Sequence, residues 1–315
     1  MLTVILRRLA ALVPILLGIS VLTFGAMHLI PGDLATVLIG PDGVQDPVVL
    51  ENIRREYGLD QPLVVQYGRW LGKSLQGDFG DSLRLGVPVG GEILRRLPLT
   101  VELAVLALGF GLVVGVPLGT LAATSRRRWG WLVQTFTIGG VAVPNYLLGT
   151  LLILYGGLLF PWIPSLQYVS LAEDPGRHLL GLIYPTIALG TSFAAVIAEN
   201  TRAAMAESMS QEYVRVARAK GLRERVVLSR HALRNGLIPI ITVTGLQAGQ
   251  LLGGTIITET IFALPGLGRL ALSAVQLRDY PLMQGIVITI ATVVLLANLL
   301  ADIVYGLADP RVRVG

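Results

Sequence analysis

The chain has 315 residues, 53% of them hydrophobic and only 14% charged, with a mean hydropathy of +0.68 and a net charge of +5. Soluble domains carry about 25% charged residues, so a water-soluble globule is excluded and a chain dissolved in a bilayer is expected. The absence of cysteine rules out disulfides, thiolate metal sites and a cysteine nucleophile, and His28, His178 and His231 lie too far apart in sequence to form a ligand pattern.

In chain order, Leu9 to Gly32 is free of formal charge for 24 residues between Arg8 and Asp33. About 20 apolar residues, rising 1.5 Å each, cross the hydrocarbon core, which predicts a first span at about 9–30. Arg7 and Arg8 also suit the start of a secretory signal. The apolar run is too long for a cleaved one and more spans follow, so an uncleaved helix is expected. Segment 31–98 is long for a connection and is read as an external helical segment. Asp46 and Pro47 open a helix that Gly58 closes. A second amphipathic stretch runs from Pro62 to about Gln76, with Leu63, Tyr67, Trp70 and Leu71 on one face. Glu92 to Leu97, before Pro98, is expected to lie along the membrane surface. Such a segment can shape an external mouth, seat a delivery protein or form a structural lid.

Two motif fragments fall here. Gly72-Lys73-Ser74 resembles the end of a P-loop, but the position that needs glycine is Tyr67. Asp78-Phe79-Gly80 spells a kinase tripeptide without its catalytic loop. The chain is therefore expected to hold no ATP site and to be no enzyme, with no catalytic residues and no metal ligands.

Further charge-free runs predict spans at about 99–122, 132–158, 180–200, 237–258 and 283–305, six helices in all. Pro161, Trp162 and Pro164 place a loop after the third. Gly111, Gly115 and Gly119 in the second span, and Gly245, Gly249 and Gly253 in the fifth, recur every four residues and form stripes for close helix packing, within the chain or at a subunit seam. Asn145, Gln247 and Gln250 are costly in lipid and are candidates for lining a translocation path. Glu102, Glu199 and Asp302 sit near span ends.

One set of connections holds Arg7, Arg8, Arg126 to Arg128, eight Lys or Arg from Arg202 to Arg234, Arg311 and Arg313, which is 15 of the 25 cations. By the positive-inside rule this side and both termini are cytoplasmic. The basic character then reports topology and anionic membrane lipids rather than nucleic acid. Within this side, 201–236 reads as two short helices hinged at Gly221, a prong suited to docking a partner.

At that prong the sequence resembles a known family. Glu212, Tyr213, Val214, Arg215, Val216, Ala217, Arg218, Ala219, Lys220, Gly221 and Leu222, then Arg230 to Asn235, are similar to the signature loop of ABC-importer permeases of the dipeptide/oligopeptide/nickel branch, in the first-permease form. The likeness extends to Gly58-Leu59-Asp60-Gln61-Pro62, to residues 77–83 and 259–268, to Arg278-Asp279-Tyr280-Pro281 and to the tail from Asp309 to Arg313. Of the general Glu-Ala-Ala…Gly motif only Ala217 and Gly221 are kept, and the expected Leu-Pro is Leu233-Arg234.

The resemblance implies a type I ABC-importer permease fold in a prokaryotic inner membrane. It implies a second permease subunit, two ATPases that carry ATP and Mg, and an external solute-binding protein, with no cofactor on this chain. It assigns ATPase coupling to Glu212, Tyr213, Arg215, Ala217, Arg218, Ala219, Lys220, Gly221 and Leu222, and import of di- or oligopeptides to the assembly. The same architecture also serves nickel or another small solute. A stand-alone secondary transporter is the alternative from a different class.

Overall fold

The computed structural model describes residues 2–29, 47–56, 58–124, 128–164 and 166–308, and the described residues are helical almost throughout. The helices are α1 (Leu2–His28), α2 (Pro47–Glu56), α3 (Leu63–Ser74), α4 (Val89–Thr124), α5 (Arg128–Ala142), α6 (Asn145–Leu159), α7 (Pro175–Ser210), α8 (Glu212–Ala219), α9 (Glu224–Val226), α10 (Arg234–Ile261), α11 (Leu267–Leu277) and α12 (Tyr280–Ala308). Five helices are long and apolar enough to cross a membrane, and α5 with α6 makes a sixth if the bent pair counts as one span. The proposed cap Asp46 and the tail from Asp309 to Arg313 lie outside the described residues.

Three expectations of element layout change. The third span, expected as one helix over 132–158, is two helices meeting at a 102° bend. Pro144 disfavours helix at Val143 and cannot donate to the preceding turn, and its own extended ψ of 140° redirects the chain ahead of α6. Glu92 to Leu97 is continuous with the helix that follows: α4 runs unbroken through Pro98. Prolines are tolerated inside apolar helices when the freed carbonyl is satisfied locally, since a full break in hydrocarbon would unpair more backbone groups. Finally, α7 does not stop near residue 200 but continues to Ser210.

The chain divides into two compact units. The first comprises Met1–Ile5, Leu99–Arg269 and Val294–Gly315. Here α7 packs against α5, α6 and α10, around a core that includes Leu103, Leu182, Leu189, Phe193, Ile197 and Phe262. Asp174 caps α7 by accepting the Arg177 N–H at 3.0 Å, with Pro175 in the first turn. Gly111, Gly115 and Gly119 face α7. A Cβ at Gly115 would lie 2.6 Å from the Ala194 carbonyl, and Cβ atoms at Gly111 and Gly119 would collide with Phe193 and Ala198. On α10, Gly245 and Gly249 meet Ala301 and Asn298 of α12. Gly253 does not continue that stripe: a Cβ there meets nothing within 4 Å, and the close approach belongs to Gly254 against Leu189.

The second unit comprises Leu6–Pro98 and Leu270–Val293. Gly58, at φ +67°, ends α2 with Leu59 N–H on the Arg54 carbonyl at 2.7 Å, a positive φ that glycine adopts without strain. Phe24 of α1 meets Tyr67 edge-on at 5.5 Å and Trp70 of α3 at 5.8 Å, and Ser20 is hydrogen-bonded to the Tyr67 hydroxyl at 2.7 Å. Asp279, fully buried, caps α12 through the Leu282 N–H. The same carboxylate accepts the Ser82 hydroxyl and the N–H groups of Leu83 and Arg84. Two distant motif segments, 77–83 and 278–281, thus meet at one carboxylate.

Candidate functional site

The prong expected within 201–236 is built on the last turn of α7. Ser208 lies 3.0 Å from the Ala232 carbonyl and 2.6 Å from the Tyr213 hydroxyl. A carbonyl only accepts, so the serine donates to Ala232 and Tyr213 donates to the serine. Val214 and Ala217, one turn apart on α8, close a small buried cluster with Val227. That packing fixes which side of α8 is covered. The uncovered side presents Tyr213, Val216 at 48% exposure, and, past the corner, Leu222 and Val226. The exposed cations Arg215, Arg218, Lys220 and Arg223 surround these apolar groups. Contiguous apolar surface rimmed by polar groups marks an interaction site.

The corner itself is a helix stop of the Schellman type. The Gly221 N–H bonds the Arg218 carbonyl at 2.9 Å and the Leu222 N–H bonds the Ala217 carbonyl at 3.4 Å, with Gly221 at φ +75°. Across it Arg218 grips Glu224 with two hydrogen bonds, 2.7 Å from Nη2 and 3.2 Å from Nε. The guanidinium holds the Glu224 carboxyl below its ordinary range, chiefly by hydrogen bonding, and the carboxylate in turn raises the Arg218 pKa. The second arm of the prong is not a separate helix. After α9 a wider turn over Val227–Leu233 leads directly into α10. All nine residues assigned to coupling therefore lie in one short segment, with Ala217 turned inward and the other eight exposed.

The polar residues proposed for the path are spread out. Asn145 begins α6 just after the bend, and its amide nitrogen lies 4.0 Å from where a Cβ on Gly254 of α10 would sit. Gln247 is half-buried and Gln250 exposed on α10. Among the described residues no cluster of three His, Asp or Glu could hold a metal ion.

Two polar knots escaped sequence reasoning. Glu259 is 0% exposed. It accepts the Thr100 hydroxyl at 2.6 Å and the Arg269 N–H at 3.0 Å, while Thr100 accepts the Leu267 N–H at 2.8 Å. A Cβ on Gly266 would fall on the Glu259 carboxylate, and one on Gly268 would lie 2.6 Å from Ile256 Cα, which explains the glycines of the 259–268 run. The second knot joins His178 and Glu102. Nδ1 of His178 is 2.8 Å from the Val169 carbonyl, so it carries a proton, and Nε2 is 3.0 Å from both Glu102 oxygens. Tyr168 packs edge-on against the His178 ring, and burial with the Glu102 charge raises its hydroxyl pKa. Glycine spacing inside a turn motif was the one available signal for the first knot. For the second there was none.

Comparison with known proteins connects this geometry to a family. Residues 115–314 match the binding-protein-dependent transport system inner membrane component, and residues 1–104 match the N-terminal family of the same systems. A Brucella abortus (strain 2308) protein named as a peptide transport system permease is 42% identical over 314 residues, 99% of each chain. The glutathione transport system permease protein GsiC of Escherichia coli (strain K12) is 38% identical over the same length and share. In fold, the chain is similar to the inward-facing MetNI methionine ABC transporter, with a TM-score of 0.56 and 16% identity over 69% of this chain and 96% of that one. With membrane-spanning helices and matches over nearly its full length, the chain belongs to the binding-protein-dependent inner membrane components, as a multi-pass permease subunit of an ABC importer.

Proposed function

We propose that the chain forms half of a translocation path that carries di- or oligopeptides into the cytoplasm. In this reading it pairs with a second permease, two ABC ATPases and an external solute-binding protein. The observation that carries the coupling role is the α8 corner, whose inner face is closed by Val214, Ala217 and Val227 while Tyr213, Val216 and Leu222 face outward. The peptide cargo is supported by the names of relatives 42% and 38% identical along the whole chain. Family membership sets aside the stand-alone carrier.

Closure of the ATPases on ATP acts on α8. The prong is tied to α7 through Ser208 and runs on into α10, so a force on it reaches two long helices at once. ATP shifts the inward-open to outward-open balance only through its different affinity for the two ATPase arrangements. Asn145, Gln247 and Gln250 are the candidates that meet the solute inside the membrane, and both termini lie in the cytoplasm.

The chain has no cysteine, so a single Cys at the exposed Ala219 is uniquely reactive. Short thiol-directed crosslinking in native membranes, followed by mass spectrometry, is expected to recover an ABC ATPase. Uptake of labelled dipeptide, in competition with glutathione and with nickel, then assigns the cargo. An adduct with lipid alone, alongside working control crosslinks, refutes the docking role, and nickel uptake without peptide uptake refutes the peptide cargo.

A further inference from the structure

A cavity of about 650 Å³ lies wholly within the second unit, where α1, α3, the 78–83 segment and the start of α12 meet. Ligand sites for small molecules run from about 300 to 1,000 Å³. Its lining has three parts that would be unrelated in a purely structural hollow.

The first is charge. Arg69 and Lys73 stand on α3 one turn apart, and Asp78 and Asp81 stand on the segment that follows. All four are exposed, and among the described residues no ion pair joins any of them. Two cations and two carboxylates around one cavity, not neutralising each other, leave both signs available to a solute. Asp78 does accept the Gly80 N–H at 2.9 Å, which fixes the carboxylate in its turn.

The second is aromatic surface. Phe24 and Trp70 line the cavity and pack on each other at 5.8 Å, with Tyr280 beneath at 4% exposure. The third is an amide. Gln284, 6% exposed on α12, lines the same cavity, and the buried Nε1 of Trp70 in its wall has no hydrogen-bond partner. Buried polar side chains are ordinarily hydrogen-bonded. A primary amide offers both donors and an acceptor, the complement of a peptide group.

We propose that this cavity is a receiving site for a short zwitterionic peptide. Its carboxylate is held by Arg69 and Lys73, its ammonium by Asp78 and Asp81, its peptide group by Gln284 and an apolar side chain by Phe24 and Trp70. The proposal rests on the peptide-import reading and deepens it. The charge pattern places segment 31–98 outside, so the site takes solute before it enters the membrane path. Lys73, Asp78 and Phe79, which look like stray P-loop and kinase fragments in one dimension, line one cavity in three.

The test uses the full chain in lipid nanodiscs and the dipeptide alanyl-photoleucine, whose diazirine crosslinks on illumination. Adducts are mapped by mass spectrometry and competed with unlabelled dialanine or with its N-acetyl, C-amide form. Adducts are expected on the peptides holding Phe24 or Trp70, and the free dipeptide should compete at least about tenfold better than the capped one, as loss of charge-assisted hydrogen bonds implies. Lys73→Gln and Asp78→Asn, both at exposed positions, should each weaken labelling, and Gln284→Leu should do so without altering the free-versus-capped ratio. Membrane levels of each variant guard against misfolding. Equal competition by the capped dipeptide overturns zwitterion recognition. Absence of cavity adducts overturns the site while leaving peptide import standing, provided the assembled importer takes up the same probe. Failure of that uptake as well removes the peptide reading itself.

Discussion

Gly221 gives the sharpest handle on the corner proposed to couple to the ATPase. At φ +75° an L-residue other than glycine pays about 1–2 kcal/mol, and a β-branched one is a genuine outlier there. A Cβ at this position meets nothing within 4 Å, so no clash with neighbours adds to that term. The cost of Gly221→Val is therefore conformational, at about 2 kcal/mol, and reduces the population of the docking-ready corner by a factor of up to about 30. Asparagine tolerates the left-handed region, so Gly221→Asn should stay near wild type, with Gly221→Ala between the two. The assay is the initial rate of ATP-dependent dipeptide uptake by the assembled importer, normalised to permease in the membrane, alongside ATPase crosslinking from a Cys at Ala219. The expected order is Gly, Asn, Ala, Val. Wild-type uptake by Gly221→Val would refute the reasoning, and so would an Asn variant as impaired as Val, because backbone handedness would then not be what matters.

Other outcomes follow from the packing. Gly115→Val should destabilise the chain by about 1–3 kcal/mol or more, because its Cβ would lie 2.6 Å from the Ala194 carbonyl and backbone cannot yield as a side chain does. Gly253→Ala should be silent in the same thermal-unfolding measurement in detergent, since it faces open space. Thr100→Val removes the hydroxyl that Glu259 accepts and the oxygen that the buried Leu267 N–H donates to, and should cost about 1–3 kcal/mol by the same measurement. The Glu224 carboxyl is held below its ordinary pKa by Arg218. A depressed acid stabilises above its unfolded pKa and loses that contribution as pH falls through its folded one. The Arg218–Glu224 clasp should thus hold at neutral pH and open only below the ordinary carboxylate range. Both groups are largely exposed, so Glu224→Gln should change crosslinking from position 219 only slightly, and less still at high salt.

What one dimension could reveal follows the range of the forces involved. Hydrophobic length and cation asymmetry are summed along a contiguous segment, so composition alone placed the chain in a membrane and marked its apolar stretches, though not the exact helix ends. Gly58 and Gly221 were also legible, because a Schellman stop involves residues within six positions of each other. The bend before Asn145 could have been read from Pro144 by the same local rule, and was hidden by the length of the charge-free run around it. Pro98 misled in the opposite direction, since a proline that ends a helix in water can be carried through one in hydrocarbon.

Only the tertiary structure decided which residues meet across the chain. Asp279 binding Ser82, Thr100 binding Glu259 and His178 binding Glu102 join positions roughly 75 to 200 residues apart. Each partner alone is an ordinary polar side chain, and nothing in its neighbours specifies the other. These contacts exist because a buried carboxylate must be satisfied once apolar helices have packed around it. The glycine stripes show the same division. Spacing of four predicted a smooth helix face, but the decision that Gly111, Gly115 and Gly119 face α7, while Gly253 faces nothing, belongs to the packing. The sequence by itself determined the solvent, the number of apolar stretches and the local corner at Gly221. The cavity with its two signs of charge, its aromatic wall and its amide came from tertiary structure alone, because its lining is drawn from segments more than 190 residues apart.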